Sequence, residues 1–202
     1  MESDEVKKDS EIFYLIGALR DGCLTTGFTI KFAQKYREWL KDVILPLINK
    51  NFDVKLKENC IYYQRKKWPF WYIAVSNKKL WQCFNKINKL TPKNKKEQKF
   101  YIIGFWDADG GCPKNPVANK KNYIKFTQKD KQSLEELKNM LEKNFKIKCG
   151  NVIKSEENKN GFIWRFSITN KNGIVDFCRN LGSLHPVKKT RLETMKSILL
   201  AR

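Results

Sequence analysis

The sequence predicts an α+β protein of two pseudo-symmetric halves, each ordered αββαββα. Their antiparallel sheets are expected to join into one saddle-shaped surface, with a helix from each half at the interface. Three observations carry this reading. First, three blocks recur in the same order: residues 14–22 (YLIGALRDG) return as 102–110 (IIGFWDADG), 30–35 (IKFAQK) as 124–129 (IKFTQK), and 71–78 (WYIAVSNK) as 164–171 (WRFSITNK). Ordered recurrence of this kind marks a tandem duplication. Second, each copy runs through the same succession of helical and period-two apolar spacing. Third, a stretch rich in Lys, Asn and Pro over residues 88–96 separates the copies, which sets the halves at 1–92 and 93–202.

The elements follow in order. A leading apolar helix is expected over 10–20 and again over 94–108, with Ser10 and Asn94 as N-caps and Gly22 and Gly110 stopping the helices at the usual C-terminal glycine position. An alternating strand comes next, with Phe28, Ile30 and Phe32 on one face and Thr29, Lys31 and Ala33 on the other. In the second copy Ile124 and Phe126 point in, and Tyr123, Lys125 and Thr127 point out. A charged amphipathic helix then presents Trp39, Leu40, Val43 and Leu47, or Leu134, Leu137 and Leu141. A hairpin follows, 54–65 with 70–76 and 147–156 with 162–169. A helix closes each copy, over 78–87 and 173–181, and a basic tail helix spans 186–200. A sheet of about this size buries one face under its helices. The other face, carrying Thr29, Lys31, Tyr72 and Ala74 or Tyr123, Lys125, Arg165 and Ser167, is polar and basic.

Charge narrows the partner. The 202 residues hold 41 Lys and Arg against 21 Asp and Glu, a net charge of +20. An excess this large repels itself unless a polyanion compensates it, and nucleic acid is the first candidate. The six cysteines contain no CxxC pair, which excludes a zinc ribbon and points to free thiols. A single histidine, His185, excludes mechanisms that need two. No apolar run approaches the roughly 20 residues of a membrane span, and the chain opens on acidic, polar residues. A soluble, intracellular protein is expected.

The blocks 15–22 (LIGALRDG) and 103–110 (IGFWDADG), the Gln-Lys that ends the first long strand of each copy and the Asn-Lys after each hairpin resemble the LAGLIDADG homing endonucleases over about residues 10–200. The nearest likeness is to the single-chain, two-motif, intron-encoded members. Small residues at Gly17 and Ala18, or Gly104 and Ala108, would let the two leading helices approach closely. Asp21 and Asp109 would then emerge together at the helix ends, where their mutual repulsion becomes attraction once a divalent cation lies between them. Oxygen ligands favour Mg²⁺. The resemblance implies two or more Mg²⁺, with Mn²⁺ able to substitute, held by Asp21, Asp109 and the backbone carbonyls of Arg20 and Ala108.

The implied activity is hydrolysis of DNA: a metal-dependent double-strand break at a long, asymmetric target, made by a monomer that needs no protein partner and no membrane. Gln34, Gln128, Lys35 and Lys129 match positions that order the attacking water or stand by the scissile phosphates. Gln34 and Gln128 are equally read as strand-end residues capping the next helix. Double-stranded DNA would lie on Thr29, Lys31, Tyr72, Ser76, Lys114, Asn119, Lys121, Tyr123, Lys125, Arg165 and Ser167. The insertion around Lys114 to Lys121 reads either as a longer DNA-reading hairpin or as a disordered loop. Asp107 is expected to point away from the metal.

One departure bears on the chemistry. From Gly17 to Asp21 is four steps along the chain, and from Gly104 to Asp109 is five. Either the first helix tightens its last turn, or it packs through Ala18 instead of Gly17. Arg20 would meet a phosphate or neutralise Asp21. The alternative function is a non-cleaving nucleic-acid-binding protein of the same fold, such as an RNA intron maturase.

Overall fold

The computed structural model describes residues 10–20, 22–65, 69–119, 121–158 and 161–201. The chain divides between Ala108 and Asp109 into two units. The first holds α1 (Ile12–Ala18), β1 (Cys23–Leu24), β2 (Thr29–Gln34), α2 (Arg37–Trp39), α3 (Leu45–Phe52), β3 (Ile61–Gln64), β4 (Phe70–Ser76), α4 (Lys78–Ile87) and nearly all of α5 (Lys95–Asp109). Its sheet runs β1-β2-β4-β3, with every neighbouring pair antiparallel. The second unit holds β5 (Ile124–Gln128), α6 (Lys131–Phe145), β6 (Ile153–Asn158), β7 (Gly161–Ile168), α7 (Lys171–Asn180) and α8 (Pro186–Leu200). Its sheet runs β5-β7-β6, also antiparallel. The predicted α+β class with antiparallel sheets is what the structure has. Where the first unit has β1, the second has a single bridge, Gly111 to Lys125, closed by two N–H···O bonds of 2.8 Å.

Period-two alternation works as the sequence suggests. Ile30, Phe32 and Ile73 are buried under Leu80, Phe84 and Ile87 of α4, and Phe32 meets Phe84 edge-on at 6.0 Å. In the second unit Ile124, Phe126, Phe166 and Ile168 are buried with Leu134, Leu137, Leu141 and Phe177, and Phe126 stacks on Phe166 at 4.8 Å. The Asn of each repeated Asn-Lys pair is a helix N-cap: Asn77 accepts from the Leu80 N–H and Asn170 from the Gly173 N–H, which satisfies donors the helix leaves over. Asn94 and Glu97 form a reciprocal capping box at the start of α5.

Several local expectations are corrected. Helix α1 is only seven residues long and is entered from Glu11, which makes no side-chain cap; Ser10 does not cap it. Phe28 does not join the inner face of β2. It adopts φ of 55°, is 39% exposed and meets Trp81 edge-on. Gly110 directly follows the last residue of α5, as expected; Gly22 lies beyond the end of the short α1, and a Cβ on it would lie 2.7 Å from the Lys31 carbonyl oxygen, so crowding against β2 selects glycine there. Between α2 and α3 the helix widens into a π turn over Leu40–Ile44. The extra residue per turn rotates the buried face, so Ile44, Leu45 and Ile48 are buried in place of Val43 and Leu47. Strands β3 and β6 begin at Ile61 and Ile153, later than the hairpin spacing suggests. All six cysteines are free, and burial pushes the Cys149 and Cys178 thiols up to about 12.

His185 precedes the Pro186 that opens α8 and is wholly buried. Burial first, then the Lys188 charge, pushes its pKa down to about 3. The unfolded chain binds a proton below about pH 6.5 that the folded chain refuses until far lower pH. Stability is therefore full above that value and falls as the medium is acidified toward pH 3, by up to about 1.4 kcal/mol per pH unit. Urea denaturation at about pH 7 and about pH 5 reads the slope; equal free energies at both would contradict a buried neutral imidazole.

Candidate active site and nucleic-acid interface

Glycine decides how α1 and α5 cross. A Cβ on Gly17 would collide with the backbone of Tyr101 and lie 2.7 Å from the Phe105 nitrogen. A Cβ on Gly104 would collide with the Tyr14 carbonyl, 2.8 Å from its carbon. Packing thus runs through Gly17, not Ala18. Tyr14 stands to Gly104 as Tyr101 stands to Gly17, which makes the two crossings equivalent one residue out of step with the Asp-Gly pairs. The shortened first motif absorbs the difference in tight i→i+3 bonds after the helix, Arg20 N–H to the Gly17 carbonyl at 3.2 Å and Gly22 N–H to the Leu19 carbonyl at 2.9 Å.

The equivalence extends to side chains. On one side the Tyr14 hydroxyl donates to Asp107 Oδ2 at 2.7 Å and accepts from Trp39 Nε1 at 2.7 Å. Tyr14 and Asp107 are both fully buried, and burial, then the Asp107 charge, holds the Tyr14 pKa well above the phenol range. On the other side the position matching Asp107 is Arg20, whose guanidinium lies 5.9 Å from the Tyr101 ring centre. Asp107 is buried in the core. This chain spans 93 residues and no local sequence signal announces it.

Asp109 ends α5 and is half-buried. Thr127 Oγ1 donates to its carbonyl oxygen at 3.1 Å and approaches its Oδ2 at 3.4 Å. One residue upstream, the Ala108 carbonyl accepts from Gln34 Nε2 at 3.0 Å. Gln34 and Gln128 do not cap the next helices by side chain; Tyr36 and Asp130 stand at those N-caps. Both glutamines instead accept from the following lysine N–H at 2.7 Å, and Lys35 and Lys129 are exposed beside them. Lys188, which sequence reasoning missed, reaches from α8 to the Gly110 carbonyl at 2.7 Å while only 9% exposed. Asp21 lies outside the described residues. Among the described residues no three His, Cys, Asp or Glu side chains cluster closely enough to hold a metal ion.

The outer faces of the two sheets differ. On the first, the Thr29 and Ser76 hydroxyls share a hydrogen bond of 2.8 Å, and the Lys31 ammonium lies 4.4 Å from the Tyr72 ring centre. On the second, Lys125 pairs with Ser167 and Thr127 with Arg165. Lys121, Tyr123, Lys125, Arg165, Ser167 and Lys171 line a concavity of about 660 Å³ there. Lys114 is exposed and is not among its lining residues. Among the described residues of the insertion no strand forms, so the longer hairpin is not seen there, and Asn115 Oδ1 accepts from the Val117 and Ala118 N–H groups in a turn. Asn119 donates to the Lys121 carbonyl. No helix among the described residues is long and apolar enough to cross a membrane.

The fold is the LAGLIDADG fold. A solved structure of mesophilic variants from the homing endonuclease I-DmoI matches with a TM-score of 0.66 at 21% identity, over 92% of this chain and 97% of that one. A structure of I-DmoI in complex with DNA and Ca matches with a TM-score of 0.64 at 20% identity, over 92% and 97%. Among curated proteins, homing endonuclease I-ApeI of Aeropyrum pernix is 24% identical over 91% of this chain and 86% of its own length. Residues 96–182 match the model of the LAGLIDADG-like domain family, and the resemblance read from the motifs stands.

Proposed function

We propose that the protein is a site-specific homing endonuclease that makes a divalent-cation-dependent double-strand break in a long, asymmetric DNA target, acting as a monomer. The observation that carries this is Asp109, a half-buried carboxylate at the last residue of α5. An acid at a helix C-terminus opposes the helix dipole, an arrangement that a bound cation relieves. The likeness to I-ApeI and to the DNA complexes of I-DmoI, which hold Ca, Mn or Mg, supports the same reading.

The donors fit a hard cation, since all are oxygens. Asp109 would hold it together with the Ala108 carbonyl, whose second lone pair remains after Gln34 has taken one. Asp21 and the Arg20 carbonyl are proposed as the counterpart set. A divalent cation there supplies an activated water and neutralises charge on the departing oxygen; Mg²⁺ is the proposed ion, two or more, with Mn²⁺ as substitute. Thr127 fixes the Asp109 backbone, and Gln34 holds the turn before it. Gln128 is assigned to order the attacking water. Lys35 and Lys129 offer ammonium groups to phosphate oxygens, and Thr29, Lys31, Tyr72 and Ser76 of the first unit and Lys114, Asn119, Lys121, Tyr123, Lys125, Arg165 and Ser167 of the second are the proposed DNA contacts. No side chain of near-neutral pKa is needed as a base, which suits a chain whose one histidine is buried.

A supercoiled plasmid library carrying candidate sites, incubated with Mg²⁺, tests this. Wild type is expected to give linear DNA, and Asp109→Asn to lose product by at least about a thousandfold while still binding. Asp21→Asn is expected to do the same. Binding without product from wild type would leave a non-cleaving nucleic-acid-binding protein instead, and nicked circles alone would locate the failure in the shortened first motif.

A further inference from the structure

We infer that the two sheet faces select different bases: Arg165 reads guanine in the duplex segment that the second sheet covers, and the face around Thr29, Tyr72 and Ala74 selects thymine in the segment that the first covers. The inference rests on the proposed DNA-binding function and deepens it.

The second face offers a directional donor. Arg165 and Lys125 sit diagonally across the β5–β7 pair, on the same side as Ser167. Such neighbours stand about 7–8 Å apart, within one base pair's reach of each other. Among the described residues no carboxylate pairs with Arg165. Its planar fork matches O6 and N7 of guanine in the major groove, the commonest specific protein–DNA contact. The exposed Lys121 and Lys171 at the edge of the same concavity are point charges suited to phosphate, which position the protein without specifying sequence.

The first face has spent its polar groups on itself. Lys31 lies on the Tyr72 ring and 5.6 Å from that of Phe70. Thr29 and Ser76 answer each other's hydroxyls. Tyr62 packs 5.5 Å from Tyr72 and is 47% exposed. Ala74 lies opposite Lys31, and Ala33 opposite Tyr72. Apart from the Tyr62 and Tyr72 hydroxyls, what remains facing outward is methyl and ring surface, and in the major groove the apolar feature is the thymine C5-methyl. Equivalent positions in the two copies thus hold a tyrosine (Tyr72) and an arginine (Arg165).

The test is a binding selection from duplexes with a randomised core, run in EDTA so that cleavage removes nothing. Wild type is expected to enrich a sequence with guanine at one or two adjacent positions in one segment and thymines in another. Arg165→Lys keeps the charge and loses the fork. It is expected to lower the guanine preference at those positions by about tenfold to hundredfold and to leave the thymine positions unchanged. Tyr72→Ser is expected to do the reverse. Melting by circular dichroism confirms that each variant folds. If Arg165→Lys keeps the guanine preference, or weakens every position alike, the inference is overturned while DNA binding stands. If wild type retains no duplex at all, the DNA-binding reading fails, and base selection with it.

Discussion

Gly104→Val will be less stable than wild type by about 3 kcal/mol or more, out of the 5–15 kcal/mol that a domain has in total. On an open helix, replacing glycine gains helix propensity, about 1 kcal/mol for alanine. Here the first carbon added would overlap the Tyr14 carbonyl and reach 2.8 Å from its carbon. A backbone carbonyl cannot swing aside as a side-chain end does, so α1 and α5 must separate and open a gap among Ile12, Leu15, Ile16 and Ile103, all buried. Gly17→Val should behave alike, because its neighbours at Tyr101 and Phe105 are also backbone. Urea unfolding of both variants decides the matter; a loss below about 1 kcal/mol would mean that the helices do not touch through these residues.

Tyr14→Phe comes next in size. It deletes one oxygen and with it two buried hydrogen bonds, the one the Trp39 indole N–H gives and the one Asp107 Oδ2 receives. Each sits where water does not reach. A hydrogen bond contributes about 0.5–1.5 kcal/mol net and one to a charged group about 1.5–3, so a loss of about 2–4 kcal/mol is expected. A double-mutant cycle with Asp107→Ala separates the bond from the burial: coupling of about 1–3 kcal/mol is expected. Additive losses would show that the hydroxyl and the carboxylate act independently.

Most of the architecture was legible because it was written twice. Alternation at Ile30, Phe32, Ile124 and Phe126 gave the sheet faces, and the Asn94 cap needs only local chemistry. What escaped depends on geometry that no window of sequence carries. The π turn at Leu40–Ile44 shifts a helical face by one residue; Pro46, two residues further on and without an N–H to donate, marks the place, but not which way the face turns. The Lys188 contact with Gly110 spans 78 residues, and nothing in a basic tail helix distinguishes that lysine from its neighbours. Gln34 was visible as a repeated residue, yet its grip on the Ala108 carbonyl could not be told from a helix cap. In the motif itself the glycine pair and the Asp-Gly pair were both conspicuous, but their one-residue mismatch resolves only when the crossing partners of Gly17 and Gly104 are known.

The two tyrosines at that crossing make the duplicated motif tolerant of drift. A phenol can serve an anion through its hydroxyl and a cation through its ring, so Tyr14 holds a carboxylate where Tyr101 faces a guanidinium. The copies have exchanged one formal charge for its opposite in matching places, and each still has an aromatic anchor. A phenylalanine or a leucine there would have tied both repeats to a single electrostatic choice.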